Sequence, residues 1–332
     1  MKAMLLETCK PAEENPLRLA DLPAPEPGPG EILVRVEACG VCHTDLHTVE
    51  GDLGTQCLPV VPGHEVIGRV EALGDGCGRF PVGRRVGLAW LHATCGTCSY
   101  CARGLENLCE SARFTGFDAN GGYAELVKVP EAFAYAIPDG ITPASAAPLM
   151  CAGIIGYRSL RLSGIEPGGR LGLYGFGASA HIAIQIARHW GCQVYVFTRS
   201  ADHKAHAREL GACWTGDAAD QPPEKLHAAI HFAPVGWIVP HALEALDRGG
   251  TLALAGITMT ATPELDYERH LYYERTLRSV TASTRRDGEE LLRLAADIPI
   301  HTETTTHPLE DANAVLQALK RREVRGAAVL VP

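Results

Sequence analysis

The period of hydrophobic and polar positions changes once along the chain, near residue 145. Before that point apolar residues come in short runs. Glu31 to Ala38 (EILVRVEA) alternates polar and apolar side chains, so one face is buried and one is wet, as in a strand. Val66 to Ala72, Arg85 to Trp90 and Tyr123 to Val129 read as further short strands, and the proline- and glycine-rich stretch Pro23 to Gly30 as a loop. This is the pattern of an irregular, mostly β domain. Beyond it, Ala144 to Leu160 is rich in alanine and apolar residues and is predicted as one helix. Strands at Arg170 to Tyr174, Gln193 to Thr198, Ala228 to Phe232 and Thr251 to Ala255 then alternate with helices at Ala178 to Trp190, His203 to Leu210 and Ile238 to Leu246. Such alternation implies an α/β domain, a parallel sheet with helices on both faces. Helices near Gly288 to Ala296 and Leu309 to Arg321 and a strand at Ala327 to Val331 follow.

At 332 residues the chain can bury a full core and hold two domains of ordinary size. Its hydrophobic content of 46% and charged content of 21% are usual for a soluble globular protein. A formal charge of −9 argues against a nucleic-acid partner, which needs a basic face. No stretch is long and apolar enough to span a bilayer, so no membrane partner is expected. Met1 to Lys10 lacks the apolar core of a signal peptide. Twelve cysteines without a leader point to a reducing compartment, the cytoplasm, where clustered cysteines hold metal more often than they form disulfides.

Gly175-Phe176-Gly177-Ala178-Ser179-Ala180 follows a predicted strand and opens a predicted helix, as a G-x-G-x-x-A dinucleotide turn does. Gly175 permits the tight turn, Gly177 lets the backbone approach a pyrophosphate, and Ala180 lets the helix lie on the sheet. The free N–H groups that open the helix, from Ala178 onward, then face the phosphates. The bland alternative is a plain glycine-rich turn. The next strand ends at Thr198-Arg199-Ser200, with Lys204 one turn on. An NAD site usually places a carboxylate here for the ribose hydroxyls. Neutral and basic residues instead favour NADP(H), with NAD(H) still admitted.

Cys95, Cys98, Cys101 and Cys109 are close enough in sequence to close a tetrahedron around a structural zinc. An iron–sulfur cluster also uses short cysteine gaps, but the seven-residue final gap and the glutamate after Cys109 count against it. Cys42, His64 and Cys151 offer a second set, two sulfurs and one nitrogen, which would leave a fourth position open as catalytic zinc sites do. Sequence alone does not bring these three together, and each taken singly is more often a core residue. Cys39-x-x-Cys42-His43 also matches a c-type haem attachment or a thioredoxin-like redox pair. The first needs export, and the second a βαβ context that is missing.

In order along the chain, Cys39-Gly-Val-Cys42-His43-Thr44-Asp45, Pro62-Gly63-His64-Glu65, the four-cysteine lobe, Cys151-Ala152-Gly153 and the Gly175 turn resemble the zinc-dependent alcohol dehydrogenases of the medium-chain dehydrogenase/reductase superfamily. The compact length is similar to the yeast and bacterial branch. The resemblance implies a GroES-like catalytic domain over 1–147 and 286–332, with a zinc lobe near 92–110, and a Rossmann cofactor domain over 148–285. It implies two zinc ions per chain, the catalytic one on Cys42, His64 and Cys151. By the same resemblance Glu65 can transiently ligate that metal, Asp45 orients the histidine ligand, Thr44 bonds the substrate oxygen, and His47 ends a proton relay. Cys39 is not a ligand in the family.

The implied reaction interconverts small-molecule alcohols and aldehydes or ketones, by hydride transfer to or from a nicotinamide. A related possibility is an NADPH-preferring aldehyde reductase of the cinnamyl-alcohol type, and a remoter one a non-catalytic protein that keeps the fold. Homodimers or homotetramers are usual in the family. Three positions depart from its pattern. Leu53 stands where the yeast enzymes carry a tryptophan, with Trp90 retained, so a roomier substrate pocket is expected. Ile155 replaces a threonine beside the nicotinamide, and Ala327 an arginine on the pyrophosphate.

Overall fold

The computed structural model describes residues 1–54 and 57–332. The chain divides into two compact units, Met1–Cys151 with Ala282–Pro332, and Ala152–Thr281.

The first unit is built on a seven-stranded sheet. Its path runs Thr304–Pro308, Ala327–Val331, Glu31–Val41, Glu65–Leu73, Arg85–Leu88, Ala134–Ala136, and Leu126–Pro130 pairs with Glu31–Val41 off that path. Only the pair formed by Thr304–Pro308 and Ala327–Val331 is parallel. Glu31–Val41 is the spine, since it pairs with three other strands. It runs past Ala38 to Val41, where every residue is buried, and Ile32, Val34, Cys39 and Val41 feed the core with Val66, Val70, Val86 and Leu88. The predicted strand Arg85 to Trp90 stops at Leu88, and Tyr123 to Val129 pairs in this sheet only from Leu126.

The second unit holds a six-stranded, fully parallel sheet in the order Trp214–Gly216, Gln193–Phe197, Arg170–Tyr174, Leu226–His231, Leu246–Leu254, Thr276–Ser279. Numbered along the chain that is 3-2-1-4-5-6, the doubly wound order. The central strands Arg170–Tyr174, Gln193–Phe197 and Leu226–His231 are largely buried, as parallel strands covered by helices require. The helices Ala178–His189, Ala201–Glu209 and Ile238–Ala245 lie where the alternation placed them, within two residues at either end.

One helix is corrected. Ala144 to Leu160 is not continuous: a short helix Pro143–Ala146 passes into the 3-10 turn Ala147–Met150, and a new helix begins at Ala152. Pro148 offers no N–H to the preceding turn, and Cys151 breaks the path with φ −126° and ψ −74°. The break leaves Cys151 in an irregular turn rather than on a helix face.

Helix Arg285–Asp297 packs on the first unit, with Leu291, Leu292 and Ala295 buried. Thr284 caps it: its hydroxyl accepts from Asp287 N, and Asp287 accepts in turn from Thr284 N. Gly288 sits inside this helix. Alanine is normally the better helix former by about 1 kcal/mol. Here a Cβ would run into the buried Tyr135 ring, with Cζ at 2.8 Å. Gly288→Ala is therefore expected to lose about 1–3 kcal/mol, the cost of overpacking. Chemical denaturation checks this, and a gain in stability would refute the tight packing.

Candidate active site

The register of two strands makes the site. Gly40 pairs with Glu65 and Cys39 with Val66, so the end of Glu31–Val41 lies beside the start of Glu65–Leu73. The residue that follows the first strand is Cys42, and the residue before the second is His64. Cys42 then caps the helix His43–Glu50, which the sequence pattern alone had not indicated. Its Sγ accepts from Thr44 N at 3.2 Å, and Asp45 Oδ2 accepts from Cys42 N at 2.9 Å, a reciprocal cap. The other oxygen of Asp45 lies 3.0 Å from His64 Nδ1. Asp45 is 2% exposed and His64 fully buried.

That bond turns His64 Nε2 toward Cys42 Sγ, 3.5 Å away. Cys151 Sγ lies 3.9 Å from Cys42 Sγ. Cys42, His64, Glu65 and Cys151 thus each bring one donor atom within 4.8 Å of the others. Zinc–sulfur bonds of about 2.3 Å at tetrahedral angles set two sulfurs about 3.8 Å apart, and a sulfur and an imidazole nitrogen about 3.5 Å apart. The donor set and its spacing fit zinc.

The electrostatics agree. The hydrogen bond with Cys151, and then burial, push the Cys42 thiol well above its ordinary range. For Cys151 the bond with Cys42 pulls down, but burial and the nearby carboxylates win and the net direction is up. Burial lifts Glu65 to about 7 against the pull of His64. Burial alone would lower the His64 pKa, yet the charges of Asp45 and Cys42 carry it well upward. Two thiols and a carboxylate in one buried cluster resist ionising together unless a cation joins them.

Several supports lie in or beside the quoted motifs, but their packing roles were not legible there. Gly40 is one: a Cβ there would collide with the Glu65 side chain, whose own Cβ would be 2.9 Å away. Gly63 is another, at φ +97°, where a Cβ would meet the Tyr123 ring and Cys39 Sγ. Tyr123 N and Gly122 N donate to Pro62 O and Gly63 O at 3.0 and 2.8 Å and hold the step before His64. Trp90 meets His64 edge-on at 5.2 Å, stacks on Phe114 at 4.9 Å and leans on Phe117 at 5.9 Å. Glycine spacing and scattered aromatics carry no sequence signal until the strands are paired. His47, in the last turn of its helix, has Nδ1 2.8 Å from Asp52 Oδ2. Leu53 is half-buried in the turn that follows.

In the lobe, Cys95 Sγ is 3.9 Å from Cys101 Sγ and 3.6 Å from Cys109 Sγ, and all four cysteines bring their sulfurs within 4.8 Å. Backbone N–H groups of Thr97 and Cys98 draw the exposed Cys95 thiol down to about 6. These sulfurs also fit zinc at tetrahedral spacing. Glu106, between Cys101 and Cys109, is buried and bonds Arg285 Nε at 2.8 Å and Arg285 N at 3.1 Å. The lobe is thereby fastened to the start of helix Arg285–Asp297.

In the second unit Gly175 has φ +85°, and its N–H donates to Phe197 O at 2.9 Å. Gly177 precedes the helix Ala178–His189 with open space where a Cβ would stand, and Ala180 is fully buried against the sheet. Ser200 caps the helix Ala201–Glu209 through His203 N at 3.2 Å. Thr198 N donates to Gly216 O at 2.9 Å. Arg199 is exposed and forms no ion pair among the described residues. Lys204 differs: its Nζ is engaged by Asp217 at 2.6 Å. Among the described residues no helix is long and apolar enough to cross a membrane, and no disulfide joins the cysteines.

Comparison with known proteins agrees with this anatomy. Residues 28–139 match the model of the alcohol dehydrogenase GroES-like domain, and residues 178–297 that of the zinc-binding dehydrogenase. The chain is 51% identical to a probable alcohol dehydrogenase, AdhA, of Mycobacterium tuberculosis, over all of this chain and 97% of that one. It is 35% identical to an alcohol dehydrogenase of Geobacillus stearothermophilus, covering 99% of each. A cinnamyl alcohol dehydrogenase of Sorghum bicolor superposes with a TM-score of 0.89 at 26% identity, over 99% of this chain and 97% of that one. With the paired sheets, the sulfur–imidazole cluster and the glycine turn in place, the chain belongs to the zinc-dependent alcohol dehydrogenases of the medium-chain dehydrogenase/reductase superfamily, NAD(P)-dependent enzymes that interconvert alcohols with aldehydes or ketones.

Proposed function

We propose that this enzyme holds its catalytic zinc on Cys42, His64 and Cys151, with Glu65 beside it, and a second, structural zinc on Cys95, Cys98, Cys101 and Cys109. The observation that carries the proposal is the tetrahedral spacing of Cys42 Sγ, His64 Nε2 and Cys151 Sγ. When bound, the zinc supplies a Lewis acid for the substrate oxygen, and the nicotinamide supplies a hydride acceptor or donor. Asp45 fixes the His64 tautomer by accepting a hydrogen bond from Nδ1–H, which leaves Nε2 as the ligand. The Thr44 hydroxyl would accept the proton of the substrate hydroxyl while handing its own proton on toward His47. His47 passes it outward, and Asp52 on Nδ1 keeps the His47 Nε2 for that exchange.

The cofactor is NADP(H) in preference to NAD(H), on Gly175, Gly177, Ala178, Ala180, Thr198, Arg199 and Ser200. Arg199 has its guanidinium free for a 2′-phosphate, whereas Lys204 can help only by leaving Asp217. Trp90, backed by Phe114 and Phe117, and the small Leu53 favour substrates bulkier than ethanol, aromatic aldehydes included. This supports the reductive, cinnamyl-type reading as the second candidate. The enzyme works in the cytoplasm as a homodimer or homotetramer. Exposed Ile257, Tyr267 and Tyr272 of the cofactor unit support an assembly surface there.

Three outcomes test these assignments. His64→Ala abolishes turnover, and Asp45→Asn lowers metal affinity or turnover about 10–100-fold; a His64→Ala enzyme that still turns over would sink the ligand set. Cys98→Ser lowers zinc content and the melting temperature, because the lobe loses a ligand; an unchanged Tm refutes a structural site there. Arg199→Ala lowers kcat/KM with NADPH roughly 10-fold or more, as loss of a charge-assisted bond would, while NADH is used as before. A wild-type enzyme that prefers NADH overturns the cofactor assignment.

A further inference from the structure

Three histidines of the cofactor unit gather where the chemistry above has no use for them. His181 stands in the opening turns of helix Ala178–His189, and His203 and His206 lie three apart on one face of helix Ala201–Glu209. The His181 ring centre is 4.8 Å from that of His206 and 6.1 Å from that of His203, edge-on to both. Phe176 of the glycine turn closes the other side, 4.6 Å from His181, 6.3 Å from His206 and 6.4 Å from His203.

His181 Nε2 is buried and has no hydrogen-bond partner among the described residues. A buried polar atom left unpaired is costly and calls for an explanation. The backbone of Phe176 bonds this ring, which leaves Nε2 as the free lone pair. Burial, then His206 and His203, push the His181 pKa down to about 4, so the ring is neutral near pH 7. Burial also lowers that of His203. His206 Nδ1 lies 3.2 Å from Glu209 Oε2. That carboxylate orients an imidazole as Asp45 orients His64, and it leaves His206 Nε2 facing away from it.

We propose that His181, His203 and His206 form an additional divalent-metal site on the cofactor unit, separate from the two sulfur-containing clusters and suited to zinc or nickel. Three imidazoles without a thiolate select ions of that borderline kind. Metal–nitrogen bonds of about 2.0–2.1 Å put the ring centres of tetrahedral ligands roughly 5 Å apart. The His181 and His206 rings already stand at that spacing. His203 stands farther off, 6.1 Å from His181, and is exposed, so its side chain must turn inward before the three nitrogens meet on one ion. Bound here, the ion ties the helix that opens at Gly177 to the helix capped by Ser200, the two helices that present the cofactor loops.

Isothermal titration of the zinc-loaded enzyme with Ni2+, which does not oxidise thiols, tests the site. A single extra ion per chain is expected, with a rise in Tm. His203→Asn and His181→Asn should each remove that binding, and Glu209→Gln should weaken it about 10–100-fold. Because His203 is exposed, its variant decides the matter even if the His181 variant folds poorly. Absence of an extra ion overturns the proposal. So does undiminished binding in His203→Asn, or in a folded His181→Asn, since the heat would then come from other surface histidines.

Discussion

The Asp45 carboxylate serves two elements at once, and the active site depends on that double service. One oxygen closes the helix cap at Cys42 and the other fixes the ring of His64. A buried carboxylate is costly unless its lone pairs are satisfied, and here both oxygens have partners. The bond that stabilises the start of helix His43–Glu50 is therefore coupled to the one that aims the imidazole. Folding of the helix and preparation of the metal ligands are one event rather than two. Gly40 and Gly63 serve the same end by leaving volume, the first for Glu65 and the second for the Tyr123 ring.

What the sequence revealed follows from how local each signal is. The four cysteines of the lobe span one short segment, and their spacing alone implied a shared ion. The glycine turn, the alternating second half and the 3-10 break differ in an instructive way. Gly175 and Ala180 act through the backbone next to them, so their roles were readable. The break at Ala147–Met150 was not, because alanine-rich composition hid the effect of one proline. Convergence of Cys42, His64 and Cys151 needs a strand register and that break, and only the likeness to a known family pointed to it. Lys204 shows the opposite hazard: its charge suggested a phosphate, but Asp217 lies on a later loop that no local pattern connects to it.

The two units use charge differently. In the first, buried groups are paired with one another: Asp45 with His64, and Glu106 with Arg285. The second pair fastens a lobe with little core of its own to a helix more than 170 residues further on. In the cofactor unit the groups near the glycine turn are imidazoles and exposed cations, with Arg199 unpaired. Such exposed cations attract anionic ligands.

The spine strand Glu31–Val41 takes one of its neighbours, Ala327–Val331, from the far side of the intervening unit. On the ribosome that neighbour emerges after every residue of the parallel sheet. Until then the edge running from Cys39 to Val41 keeps its N–H and C=O groups unmatched, next to the cysteine that caps the following helix. An open edge of this kind recruits other nascent chains. The interval between synthesis of the spine and arrival of its last partner is thus when the polypeptide is most exposed to aggregation, and when chaperone cover has the most to protect.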